Sequence, residues 1–359
     1  MKPFCSQPRI SVVICTHNPR TDYLLRTLEA LRQQSLPVSQ WELLLIDNAS
    51  DEPLAGRFDL SWHPNARQIA EGELGLTPAR LRGMSEARGD LLVFVDDDNI
   101  LAADYLGRAT AIHDSYPYVC VFGAGALQPE FEAEPEPDVR PWLGILALRT
   151  VPRTMWTNNA TDYSCLPYGA GLCVKRPIAA LYSELVPQLG TSKILDRTGE
   201  NLYCGGDDLF SWLAARKDTG FGIFPELRVT HLISAARVQR EYFLRLVRDH
   251  RFSHAVLRYL LHGTKPRPAK VFRRFRLIAH GLKNGWFSMR CQQASIAGQS
   301  DATEFIRNNH LKTLPRALSE KEISLTGRPF TKLTSCADKR NYIPNDYDGK
   351  RSFDPVTGE

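Results

Sequence analysis

The sequence of 359 residues has eight cysteines but no C-x-x-C pair. Without that spacing, the cysteines predict neither a zinc site nor the disulfide framework of a small secreted protein. Cys15 and Cys120 lie inside apolar runs, where a reduced cysteine behaves as a small core hydrophobe. We therefore expect a chain that folds in a reducing, cytoplasmic environment.

Long apolar segments are also missing. No run approaches the roughly 18 apolar residues that cross a bilayer, and residues 1–7 lack the apolar stretch of a secretory signal. There is no internal repeat and no long low-complexity segment. The net charge of +5 and the 43% hydrophobic content are those of an ordinary globular protein. We expect a soluble chain that at most attaches to a membrane surface.

The sequence does contain an alternation of two hydrophobic periods. Three short apolar runs predict buried strands: Ile10–Cys15, Trp41–Ile46 and Leu91–Val95. Between them, leucines at helical spacing and the pair Thr77-Pro78, a cap followed by proline, predict helices. This alternation predicts an α/β fold with a Rossmann-like, mostly parallel sheet flanked by helices.

Polar side chains follow each of the three predicted strands. They are Thr16 and Asn18 after the first, Asp47 after the second, and Asp96, Asp97 and Asp98 after the third. In parallel α/β sheets, ligands bind beyond the carboxyl ends of the strands. The sequence therefore predicts one binding edge that receives polar groups from three strands.

The triplet Asp96-Asp97-Asp98 is the sharpest chemical signal. Three adjacent carboxylates repel one another unless a cation or strong donors compensate. Carboxylates two residues apart can approach one hard cation, and Mg²⁺ or Mn²⁺ held by carboxylates and substrate phosphates fits this pattern. The alternative is a solvated acidic turn.

Further candidates depend on weaker patterns. Asp207 and Asp208 stand at a predicted helix start, where a carboxylate could remove an acceptor proton or simply favour the helix dipole. His231, just after a predicted strand, is a candidate metal ligand, whereas the other histidines are expected to be structural or surface residues. Arg80 could bind diphosphate oxygens or be solvated. Gly171 could allow close approach of a ligand or mark a tight turn.

The ordered series of motifs resembles the family 2 glycosyltransferases over about residues 9–235. The series is Ser11-Val-Val-Ile-Cys-Thr16-His-Asn, Leu43-Leu-Leu-Ile-Asp47-Asn-Ala-Ser, Ala79-Arg80 with Gly83, Gly89-Asp-Leu-Leu-Val-Phe-Val-Asp96-Asp-Asp98, Gly169-Ala-Gly-Leu-Cys-Val-Lys-Arg, Gly206-Asp-Asp208 and Val229-Thr-His231. The resemblance implies the GT-A fold and an inverting transfer of a sugar from a nucleotide-sugar, with UDP favoured. The acceptor would be a hydroxyl of a glycan or of a lipid-linked molecule.

Individual roles follow from this resemblance. The predicted nucleotide-sugar-binding residues are Thr16, Asn18, Asp47, Arg80, Asp96, Asp97 and Gly171. Among them, Asp47 would accept a hydrogen bond from the base, Arg80 would contact the nucleotide or its diphosphate, and Asp96 would lie nearer the ribose. Asp98, Asp96 and His231 would hold Mn²⁺ or Mg²⁺, and Asp208 would be the catalytic base.

The sequence departs from the family pattern in two places. Asp207 replaces the usual glutamate, which leaves open whether Asp207 or Asp208 is the base. The Q-x-x-R-W motif of processive synthases is absent, which favours transfer of a single sugar. The alternatives are a sugar nucleotidyltransferase, for which Thr16–Arg20 lacks the usual glycines, and a non-catalytic nucleotide- or glycan-binding protein of the same fold. No motif supports nucleic-acid binding.

The charge of the chain changes after about residue 236. Residues 237–290 carry fourteen Lys or Arg against two acidic residues, with apolar residues at helical spacing. We expect a GT-A domain over 1–236, a basic amphipathic helical extension over 237–298, and a polar tail over 299–359 that is disordered in part. The basic extension is either a solvated face or a surface for anionic lipid or a lipid-linked diphosphate acceptor.

Overall fold

The computed structural model describes residues 7–189, 196–199, 201–266, 281–282, 285–309, 311 and 313–314. The strands are β1 (Ile10–Thr16), β2 (Trp41–Asn48), β3 (Ala66–Glu71), β4 (Leu91–Asp96), β5 (Asn99–Leu101), β6 (Val119–Phe131), β7 (Arg149–Thr150), β8 (Met155–Thr157), β9 (Leu172–Lys175) and β10 (Gly220–Ile233). The helices are α1 (Thr21–Arg32), α2 (Leu76–Glu86), α3 (Tyr105–Ser115), α4 (Arg176–Leu189), α5 (Gly206–Arg216), α6 (Arg240–His262) and α7 (Trp286–Asn309).

The strands form one mixed sheet in the order β3-β2-β1-β4-β9-β6-β10-β5, with β7 added beside β6 and β8 beside β10. β3, β2, β1 and β4 are parallel, as are β6 and β10. β9 lies antiparallel between β4 and β6, and β5 lies antiparallel to β10. The predicted α/β architecture is confirmed, and its mostly parallel sheet contains four shorter antiparallel strands.

Alternating side chains of the central strands fill two cores, one on each face of the sheet. In β4, Phe94 lies in the core that contains α2, α4 and α5, whereas Val93 lies in the core that contains α1 and α3. Both faces are apolar because helices cover both, which explains why these strands are continuous hydrophobic runs. The carboxyl ends of β1, β2 and β4 therefore meet at one edge, where the register pairs Thr16 with Asp47.

The helical extension packs on this α/β unit. Phe252 and Val256 of α6 join the core beneath α5, and Phe243 joins a third core with Trp142. α6 also packs closely on α7, since a Cβ at Gly298 would overlap the Arg248 carbonyl. The boundary predicted between residues 298 and 299 falls inside α7, because that helix continues to Asn309.

No helix in the described part of the chain is both long and apolar enough to cross a membrane. Of the fourteen basic residues in 237–290, six lie in segments outside the described residues. Three others pair with acidic side chains: Arg237 with Asp98, Arg240 with Asp138, and Arg248 with Asp301.

Candidate active site

The triplet Asp96–Asp98 forms a turn at the end of β4, here called the acidic turn. It is hydrogen-bonded to β1 and α1. β1 and β4 are parallel, and their register pairs Cys15 with Asp96. The Thr16 hydroxyl donates a hydrogen bond to the Asp97 carboxylate. Thr27 Oγ1 donates to the Asp97 carbonyl oxygen over 3.1 Å. The middle residue of the triplet thus fixes the turn to β1 and α1.

Asp98 lies between an imidazole and a guanidinium. Its Oδ2 is 3.3 Å from Nε2 of His231, and it accepts a 2.7 Å hydrogen bond from Nη1 of Arg237. Nδ1 of His231 is 3.1 Å from the Leu146 carbonyl oxygen. A carbonyl only accepts, so Nδ1 donates in this contact, and Nε2 is the ring nitrogen that faces Asp98. His231 lies within β10 rather than after it, since β10 stays paired with β6 as far as Ile233.

The three carboxylates of the turn differ in their pKa values. Burial, followed by the charge of Asp98, raises the pKa of Asp96 and raises that of Asp97 to about 7. Burial also acts to raise the pKa of Asp98, but the neighbouring imidazole and guanidinium outweigh it and lower that pKa. Arg197, an exposed residue, favours the charged form of all three. Asp98 is therefore the carboxylate whose negative charge is best stabilised.

The loops after β1 and β2 are hydrogen-bonded to each other. Asn18 has a positive φ of 47°, and its side-chain amide both donates to the Asp51 carboxylate and accepts from the Asp51 N–H, each over 2.9 Å. Asp47 Oδ2 accepts a 2.8 Å hydrogen bond from the Leu54 N–H. Asn18 and Asp47, both predicted as nucleotide contacts, thus also shape the loops that border the binding edge.

The second acidic pair lies in the first turn of α5. Asp207 Oδ2 accepts a 2.9 Å hydrogen bond from the Gly169 N–H. Within the described ranges, no hydrogen bond to the Asp208 carboxylate is present. Burial and then the charge of Asp207 raise the pKa of Asp208 well above its usual range. Asp207 therefore fixes the turn before β9, whereas Asp208 keeps its carboxylate available.

Arg80 lies between the two acidic groups, the acidic turn and the pair Asp207-Asp208. Its side chain is 3% exposed, and its Nη1 lies 3.2 Å from Oδ2 of Asp196. Burial alone would lower the pKa of Arg80, but the charges of Asp196, Asp207 and Asp96 together raise it. This guanidinium is thus an internal cation between the acidic turn and α5, and not the solvated helical arginine that was the alternative expectation.

The start of α2 differs from the prediction. α2 begins at Leu76 and not at Pro78, because the chain turns at Gly75, whose φ is 140°, two residues before the predicted cap Thr77. The Thr77 hydroxyl instead donates a 2.9 Å hydrogen bond to Asp196.

Gly171 marks a tight turn, which was one of its two predicted roles. Its φ is +74°, and a Cβ there would overlap the hydroxyl of Tyr105. That hydroxyl donates to the Gly171 carbonyl oxygen.

Three residues at the site were not predicted from the sequence. Asp196 and Arg197 belong to the irregular stretch before α5, where no period marks them. Arg237 is the first residue of the predicted basic extension, and the structure places it against Asp98. The only sequence signal for Arg237 is its position six residues after His231, and in the structure it lies within a short 3₁₀ turn at Ala235–Val238.

Part of the chain is similar to known glycosyltransferases. Residues 11–160 match the family model described as Glycosyl transferase family 2. Polypeptide N-acetylgalactosaminyltransferase 12 of Mus musculus is 41% identical over 93 residues, which are 25% of this chain and 16% of that protein. Glycosyltransferase AglE of Haloferax volcanii is 29% identical over 94 residues, 25% of this chain and 31% of AglE. The chain thus spans less than a third of the length of these curated relatives.

A solved structure shares the fold. GalNAc-T7 with UDP, GalNAc and Mn²⁺ matches with a TM-score of 0.52 at 14% identity, covering 88% of this chain and 56% of that one. This likeness confirms the GT-A architecture. The chain thus has a GT-A fold in which residues 11–160 match the model of family 2 glycosyltransferases.

Proposed function

We propose that the protein is a glycosyltransferase that moves one sugar from a nucleotide-sugar, with a UDP-sugar favoured, to an acceptor hydroxyl with inversion at the anomeric carbon. The observation that carries this proposal is the position of two acidic groups on either side of Arg80. Asp96–Asp98 can face a cation and a nucleotide, while Asp208 can face an acceptor. The glycosyltransferase activities named for the relatives support the same reaction class.

The reaction needs a base at the acceptor. The acceptor oxygen attacks the anomeric carbon as the bond from that carbon to the diphosphate oxygen breaks, and the hydroxyl proton passes to a carboxylate. Asp208 suits this role better than Asp207, because the Asp207 carboxylate already accepts from Gly169. The raised pKa of Asp208 also makes it a stronger proton acceptor than an ordinary aspartate.

The residues present fit a divalent cation. Oδ2 of Asp98 and Nε2 of His231 lie 3.3 Å apart, and one nitrogen of Arg237 contacts both, at 2.7 Å and 3.1 Å. Asp98 and His231 thus already bind one cationic group, the guanidinium of Arg237. Asp98 and His231, with Asp96, would hold Mn²⁺ or Mg²⁺, which would supply positive charge to the leaving diphosphate. Arg237 must turn away from Asp98 for that ion to bind.

Arginine side chains of the protein would also supply positive charge to the leaving diphosphate. Arg197 is exposed and within electrostatic range of the acidic turn. Its guanidinium can reach phosphate oxygens as bidentate pairs. Arg80 is already engaged by Asp196, so we assign it to holding the acidic groups in place and assign diphosphate contact first to Arg197.

Asp208→Asn tests the base assignment. Hydrolysis of the donor, in which water replaces the acceptor, should fall by about 10²- to 10⁴-fold in kcat, while donor Kd measured by calorimetry stays within about twofold. Asp207→Asn is the matched control, since its amide oxygen can still accept from Gly169, and it should lose less activity. Unchanged kcat in Asp208→Asn, or a larger loss in Asp207→Asn, would contradict the assignment.

A further inference from the structure

A second group of potential metal ligands lies outside the acidic turn. Cys204, His250 and His254 each offer a ligand atom, and these atoms all lie within 4.8 Å of one another. The two histidines are one helical turn apart on α6, and Cys204 precedes α5. The imidazole centroids are 4.2 Å apart. None of the three takes part in the reaction proposed above.

The cluster is supported by a fixed scaffold. The Cys204 N–H donates a 3.1 Å hydrogen bond to Ser253 Oγ, and the Leu202 N–H donates a 3.0 Å hydrogen bond to the Asp249 carboxylate. Between them, Tyr203 stacks on Phe252 with the ring centroids 4.8 Å apart. The segment before α5 is therefore attached to α6 by contacts at Leu202, Tyr203 and Cys204 itself, and the thiol lies close to the two histidines of that helix.

We propose that Cys204, His250 and His254 bind a zinc ion. One thiolate and two imidazoles suit Zn²⁺ and do not suit Mg²⁺ or Ca²⁺, which prefer oxygen ligands. Around zinc, sulfur at about 2.3 Å and nitrogen at about 2.0 Å leave the ligand atoms roughly 3.5 Å apart in a tetrahedral site. Separations of up to 4.8 Å therefore close with small side-chain rotations.

The three side chains of the cluster remain partly exposed, which leaves an ion a route from solvent. Asp207 lies within electrostatic range of His254, so the cluster lies near the start of α5.

Such an ion would connect the helical extension to the candidate active site. Cys204 is separated from Asp207 by only two glycines, and His250 and His254 belong to the middle of α6. Because an ion that binds only the folded chain stabilises it, zinc would fix α6 against the start of α5.

Cobalt substitution tests this site through its spectrum. The full-length protein, stripped of metal and titrated with Co²⁺, should show a thiolate-to-cobalt charge-transfer band and the intense visible bands of a tetrahedral ion. Cys204→Ser should lose the charge-transfer band, and His254→Ala should weaken Zn²⁺ binding by more than about tenfold. Cys120→Ser, a change at a buried cysteine of β6, and Asp98→Ala should both retain the band.

The outcomes separate this site from the acidic turn. A band that persists in Cys204→Ser, or disappears in Asp98→Ala, would overturn the proposal, as would the absence of a thiolate band in the wild-type protein. Circular dichroism of each variant checks that it folds. Zinc retained after dialysis at a stoichiometric level, with a lower Tm after chelation in the wild-type protein but not in Cys204→Ser, is the expected second result.

Discussion

Replacing Asp196 with asparagine removes one charge from a buried ion pair and leaves the other in place. The side chains of Arg80 and Asp196 are 3% and 5% exposed, and the guanidinium cannot lose its proton in a protein. Asparagine keeps the shape and can still accept from Thr77, so the change isolates the charge. The expected result is a marked loss of stability.

The magnitude follows from what remains around Arg80. Breaking a buried ion pair by removing one partner costs about 3–5 kcal/mol. Asp207 and Asp96 also stabilise the charge of Arg80, so we expect about 3 kcal/mol for Asp196→Asn, at the lower end of that range. Arg80→Met differs, because the carboxyl left behind can bind a proton: burial raises the pKa of Asp196 to about 6 even beside Arg80.

The stabilities of Arg80→Met and Asp196→Asn should therefore respond differently to pH. In Arg80→Met the folded-state pKa of Asp196 lies above its unfolded value, so folding binds a proton, and stability relative to wild type rises as pH falls from 7 toward 5. Asp196→Asn has no such carboxyl and should not recover. The double variant Arg80→Met/Asp196→Asn should be more stable than the sum of the two single losses predicts.

Urea unfolding at pH 7 and pH 5 measures these free energies. Asp114→Asn is the control, since Arg9 and Asp114 form an exposed pair, 47% and 54% exposed, whose loss should cost less than about 1 kcal/mol. Equal losses in Asp196→Asn and Asp114→Asn would refute the buried-pair account. Strict additivity in the double variant would refute it as well.

Three further predictions concern other parts of the chain. Gly206→Ala should destabilise the fold in urea unfolding, because its Cβ would overlap the Asp196 carboxylate. Gly72→Ala is the control and should be close to neutral, since a Cβ there meets nothing within 4 Å. Equal losses of unfolding free energy in the two variants would contradict this prediction. Burial lowers the pKa of His63 from 6.5 to about 4, so the unfolded chain binds the proton first and stability falls as pH drops through that window. His63→Asn should remove up to about 3 kcal/mol of that pH dependence, and an unchanged slope would count against it. If the basic segment 237–290 contacts membranes, the protein should co-sediment with anionic but not neutral vesicles at low salt, and equal sedimentation with both would exclude an electrostatic surface.

The binding edge of the sheet was predictable from the sequence because local patterns determine it. Apolar runs of β-branched residues mark strands that are buried on both faces, and polar residues directly after them must lie at the strand ends. Thr16, Asp47 and Asp96 are therefore brought to neighbouring positions by strand order alone. The ordered motifs added the fold family, which the comparisons confirm.

The partners of these residues were not predictable, because they come from distant segments. Asp196 meets Arg80 across 116 positions of the chain, and Arg237 meets Asp98 across 139. No hydrophobic period or motif spacing in the sequence indicates such contacts. The same reason explains why the cysteine pattern predicted no zinc site: Cys204 reaches His250 and His254 only because α6 folds back onto the segment before α5.

The proposed function requires the chain to bind and turn over a nucleotide-sugar with a divalent cation. The most direct measurement is binding and slow hydrolysis across a panel of nucleotide-sugars, with Mn²⁺, with Mg²⁺ and with EDTA. We expect one donor, most readily a UDP-sugar, to bind and to be hydrolysed when a metal is present, and we expect Asp98→Ala to abolish this metal dependence. A folded protein that binds no donor in the panel, or that binds one equally well in EDTA and in Asp98→Ala, would contradict it.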